Sequence, residues 1–115
     1  MHSHVSTAER TPEQQRAAER VEALRGSIDR VDEMLLSLIG ERQRLARAVG
    51  AAKRAAGVPP VDGSREADVI DRIMAHASDQ GVNEVEARLL AEQLIRLART
   101  TQGLPVARHR EAAAA

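Results

Sequence analysis

At 115 residues the chain is long enough for one small domain and too short for two. Its 17 Lys and Arg balance its 17 Asp and Glu, and Phe, Tyr and Trp are all absent. That excludes a global basic field for nucleic acid, base stacking on aromatic rings and an aromatic cage. Cysteine is absent as well, which excludes disulfide and thiol chemistry and leans the compartment toward the cytoplasm.

The chain is rich in Ala, Arg, Glu and Leu and poor in β-branched residues, a composition that predicts an all-α protein. No apolar run approaches the roughly 20 residues of a membrane span, and no signal-peptide pattern opens the chain. Residues 1–10 are polar and patternless and read as a disordered arm. His2 and His4 form an H-x-H pair with no further ligand nearby, so no metal site is expected there.

The first helix is expected to start at Thr11. Thr11 is a good N-cap, Pro12 suits the first helical position, and Gln14 completes a Thr-x-x-Gln capping box. Nothing forces a stop before Gly57, although Gly26, Gly40 and Gly50 each weaken the helix by about 1 kcal/mol. A helix of some 45 residues would be about 65–70 Å long, roughly twice the width of a globular domain this size. It cannot bury an apolar seam within its own chain, which predicts an intertwined homodimer.

The seam is Val21, Leu24, Ile28, Val31, Leu35, Leu38, Arg42, Leu45, Val49 and Ala52, an unbroken alternation of three- and four-residue steps. Arg42 is the only polar member, and a guanidinium inside such a stripe is costly unless an anion meets it. Lys53 lies three helical turns further along, on nearly the same azimuth. Arg25 lies seventeen residues before Arg42, about 25 Å along the axis, too far to share a small pocket with it in one chain. In an antiparallel dimer it could reach the partner's site.

The stretch from Gly57 to Gly63, with Pro59 and Pro60, predicts a stiff loop. A second helix is expected near Ser64, with Glu66, Val69, Ile70, Ile73, Met74 and Ala77 on one face. Asp79-Gln80-Gly81 ends it. Asn83 caps a third helix with Glu86 in the capping-box position. Its expected apolar face is Leu89, Leu90, Leu94, Ile95, Leu97 and Ala98, and Gly103 and Pro105 stop it. The organisation read from the sequence is an arm (1–10), a helical domain (11–103) and a flexible tail (104–115).

Arg65 stands at the start of the second helix beside Glu66, and Gln102 follows Leu94 and Ala98 at four-residue steps. Each polar residue has an ordinary explanation: solvated charge for Arg25, Lys53 and Arg65, a buried glutamate partner for Arg42, a helix-dipole contact for Glu66, a helix end for Gln102. Together they describe something more specific. Several cations, one carboxylate and one amide around an apolar space suit a small polyanion bound through its carboxylates.

The chain resembles the all-helical chorismate mutases, from about Leu24 to Gln102. The resemblance rests on Leu24-Arg25-x-x-Ile28-Asp29-x-x-Asp32, Glu41-Arg42 with Val49-Gly50-x-x-Lys53, Asp62-x-Ser64-Arg65-Glu66, and Gln102. It implies an intertwined dimer of three-helix subunits that converts chorismate to prephenate by a pericyclic shift, with no metal, cofactor or nucleophile. It assigns Arg25 to a substrate carboxylate across the dimer and Arg42 to the other carboxylate. Lys53 and Gln102 would donate to the ether oxygen of the breaking bond. Glu66 with Asp62 would take the ring hydroxyl, Arg65 would tune the pocket, and Val49 and Ile95 would form apolar walls. Two positions depart from the family pattern. Ala98 stands where a serine often touches a carboxylate, and Arg99 where an apolar residue is commoner, so Arg99 is a candidate replacement for that contact. The alternatives are a 4-amino-4-deoxychorismate mutase, an isochorismate pyruvate-lyase, and a non-enzymatic helical dimerisation module.

Overall fold

The computed structural model describes residues 9–106. His2, His4 and most of the expected arm lie outside the described residues, as does the tail from residue 107. The chain forms α1 (Pro12–Ala56), α2 (Gly63–Asp79) and α3 (Glu84–Thr101), with no strand among the described residues. None of these helices is long and apolar enough to cross a membrane.

Local chemistry explains where each helix begins. The capping box at α1 closes in both directions: Gln14 N–H donates to Thr11 Oγ1 at 3.0 Å, and Thr11 N–H donates to Gln14 Oε1 at 2.9 Å. Asp62 caps α2 by accepting from Arg65 N–H at 3.0 Å, so this helix starts one residue before the expected Ser64. Asn83 caps α3 by accepting from Glu86 N–H at 3.1 Å.

All three helices stop in the same way. Gly57, Gly81 and Gly103 adopt φ of 69°, 72° and 73°, a region that side chains with a Cβ rarely enter. Each is followed by an apolar residue whose N–H reaches back to the last turn: Val58 to Lys53 O, Val82 to Ala77 O and Leu104 to Arg99 O. With the glycine N–H bonds to Arg54, Ser78 and Thr100, these are three Schellman motifs.

By internal contacts the chain divides into two units, Met1–Ile39 and Gly40–Ala115. Within the first, Val21, Leu24, Ile28, Val31, Leu35 and Leu38 are 44–69% exposed, so the apolar seam stands open in a single chain. A contiguous apolar stripe of this length marks an interaction surface.

In the second unit α2 pairs with α3 across the short turn after Asp79. The α2 face is the expected one, with Glu66, Val69, Ile70, Ile73, Met74 and Ala77 all half-buried. The α3 face differs. Leu89 and Leu90 are exposed, and Ala87 and Ala91 are buried instead, with Leu94, Ile95, Leu97 and Ala98 half-buried behind them. Small residues one turn apart let the two helices approach closely, which leucines at those positions would prevent.

Polar bonds tie residues 42–50 of α1 to α3. Gln43 Nε2 donates to Leu97 O at 3.0 Å and also to Thr101 Oγ1. Gln102 Nε2 donates to Ala46 O at 3.0 Å.

Candidate active site

One cavity of about 280 Å³ collects eight of the nine substrate-binding positions expected from the sequence. Arg42, Lys53, Asp62, Arg65, Glu66, Ala98, Arg99 and Gln102 line it, with Val49 and Ile95 among its apolar walls. Arg25 is the exception. It belongs to the first unit, where its Nη1 donates to Glu22 at 3.0 Å, both side chains largely exposed.

Arg42 has no carboxylate partner among the described residues. Its Nη1 donates to the Leu94 carbonyl at 3.0 Å, which replaces the buried glutamate that a register device would need. Burial, and then the nearby Arg65 charge, push its pKa below the ordinary arginine value. Two guanidiniums that repel each other across a small cavity favour an anion between them.

Lys53 Nζ donates to the Pro60 carbonyl at 3.0 Å. The stiff loop thereby sets where the ammonium points, and two of its three protons remain for a ligand. The Gln102 amide is held by its bond to Ala46 O, which uses one of its two N–H donors. Its backbone is the C-cap of α3, so the helix stop positions the side chain. Asp62 uses Oδ1 to cap α2 and keeps acceptor capacity on its other oxygen.

Glu66 and Arg99 form the principal ion pair of the cavity. Arg99 Nε donates to Glu66 Oε2 and Nη2 to Oε1, both at 2.8 Å, a bidentate fork. Arg99 Nη1 donates to the Pro105 carbonyl at 3.0 Å. Hydrogen bonding to Glu66 raises the Arg99 pKa above its ordinary value against the opposing effect of burial, and the Glu66 charge adds to the rise. Each Arg99 nitrogen makes one bond within the chain, which uses three of the five guanidinium N–H donors. The segment after α3 also belongs to the site, because Leu104 lines the cavity and Pro105 is tied down.

Gly50, a weak point by helix propensity, makes a close approach in the folded chain. It is the one buried residue of α1, and a Cβ there would stand 3.1 Å from Gln102 Cγ. Gly50→Ala should leave stability within about 1 kcal/mol, because gained helix propensity offsets the crowding. It should displace the Gln102 amide and lower kcat several-fold, which urea unfolding and steady-state kinetics on one preparation would separate.

Residues 24–103 match the family model for chorismate mutase type II. A chorismate mutase of Methanocaldococcus jannaschii is 36% identical over 66 residues, covering 57% of this chain and 67% of that protein. A bifunctional chorismate mutase/prephenate dehydratase of Aquifex aeolicus is 38% identical over 56 residues, covering 49% of this chain but only 16% of the larger protein. The family match covers the whole cavity except Leu104 and includes Arg25 in the first unit; the chain belongs to the chorismate mutase type II family.

Proposed function

We propose that this protein is an isomerase that rearranges chorismate to prephenate, acting as a homodimer whose sites are shared between chains. The observation that carries the reading is the convergence of Arg42, Lys53, Glu66 and Gln102 on one apolar-walled cavity within the family-matched segment. The cytoplasm, suggested by the cysteine-free composition, is the proposed compartment.

The rearrangement is unimolecular, so the protein needs only to orient the substrate and stabilise the polar transition state. Arg42 has donors left after its bond to Leu94 O, and a carboxylate beside it also relieves the repulsion from Arg65. Arg25 of a second copy supplies the other carboxylate clamp. Two such clamps hold the enolpyruvyl arm over the ring and remove much of the entropic barrier. The free N–H groups of Lys53 and Gln102 meet charge as it develops on the ether oxygen. Glu66, with Asp62, accepts from the ring hydroxyl.

The dimer is supported by the open seam of α1, which a second copy of the same helix would cover. The test offers chorismate, 4-amino-4-deoxychorismate and isochorismate in parallel and compares kcat/KM, with the chain mass in solution measured by sedimentation equilibrium. Chorismate is expected to be the best substrate and the dimer the dominant species. Faster pyruvate release from isochorismate would overturn the mutase reading, and a stable monomer with full activity would overturn the shared site.

A further inference from the structure

Glu66 cannot be considered apart from Arg99. The guanidinium contacts both carboxylate oxygens at 2.8 Å and is itself anchored to Pro105 O at 3.0 Å. The pair is sheltered, with side chains 25% and 28% exposed. A group seated against Glu66 must therefore also sit beside a fixed positive charge. A hydroxyl tolerates this, because each carboxylate oxygen can accept from Arg99 and from the ligand together. An ammonium does not, because it meets a like charge in a partly dehydrated space.

The lining as a whole has the same bias. Arg42, Lys53, Arg65 and Arg99 stand against Asp62 and Glu66, a surplus of two positive charges from one chain, to which the proposed Arg25 of a second copy adds a third. That surplus favours a dianion with two carboxylates and a neutral hydroxyl. An analogue with an ammonium in place of the hydroxyl carries a single net negative charge and matches it less well.

We infer that Arg99 is a specificity-determining positioning residue: it fixes the Glu66 carboxylate and offsets its charge, so that the site prefers a hydroxyl-bearing dicarboxylate over the analogue carrying an ammonium at that position. The inference rests on the mutase reading and concerns how that site chooses between two substrates of the same reaction. It also gives the unusual residue on α3 a role that involves no contact with a substrate carboxylate.

The experiment measures kcat/KM for chorismate and for 4-amino-4-deoxychorismate in wild type, Arg99→Met, Arg99→Gln and Arg99→Lys, using the full chain. The ratio of the two constants within one preparation is independent of the fraction of folded enzyme, so a destabilised variant remains informative. In the neutral variants Met and Gln, the amino-to-hydroxyl ratio should rise about tenfold or more, the scale of one like-charge contact removed from a sheltered site. In Arg99→Lys, which keeps the charge and loses the fork, the ratio should stay near the wild-type value while kcat on chorismate falls. An unmoved ratio in both neutral variants, or an equal rise in Arg99→Lys, would overturn the role assigned to Arg99 and leave the mutase reading standing. Failure of the wild type to convert either compound would overturn the mutase reading itself.

Discussion

Replacing Arg42 by leucine is expected to abolish turnover without unfolding the protein. The two halves of this expectation come from different physics. In the folded chain Arg42 is half-buried and repelled by Arg65, and its one bond goes to a helix carbonyl at 3.0 Å. A leucine there continues the run of Leu38 and Leu45, so the melting temperature should hold or rise. With substrate bound, the same guanidinium is proposed to hold a carboxylate. Losing a charged contact that orients the reacting groups should lower kcat/KM on the order of 10²–10³-fold. Calorimetry and steady-state kinetics on the same sample would check both halves. Full activity in the leucine variant would remove Arg42 from the site.

The second large effect concerns Arg25. Arg25→Ala and Arg42→Ala should each be nearly inactive alone, and mixing them under conditions that exchange subunits should restore activity. In a heterodimer one site receives Arg42 from the first variant and Arg25 from the second, while the other site lacks both. Random exchange gives heterodimers in half of the dimers, so recovery should reach about a quarter of the wild-type rate. Native mass spectrometry would establish the exchange. Proven exchange with no recovery would mean that each site is built from one chain.

Much of the site was legible because helical spacing converts sequence separation into direction. Arg42 and Lys53 lie on one azimuth of α1, and Glu66 shares the buried face of α2, so their convergence followed from periodicity. The α2 face was legible for the same reason. The α3 face was not. Leu89 and Leu90 carry the stronger hydrophobic signal, yet Ala87 and Ala91 are the residues buried. Periodicity reports that a stripe is apolar, not which neighbour covers it, and close helix packing selects small residues over large ones. The Arg99–Glu66 fork was also hidden, because its partners are 33 positions apart on separate helices. Gly50 read as a helix defect, since only the structure places Gln102 against it.

The shared stop signal of the helices constrains where the chain can change in length. Gln102 reaches the cavity because α3 ends at Gly103, and that stop fixes both its height and its azimuth. One residue inserted or deleted within the last turn would rotate the amide by about 100° and shift it about 1.5 Å along the axis. The loop before Asp62 is similarly restricted, because the Pro60 carbonyl orients Lys53. The turn after Asp79 has no member in the cavity. Length variation among relatives should therefore collect around Gln80–Val82, and that turn is the place to insert a tag or a label without disturbing the chemistry.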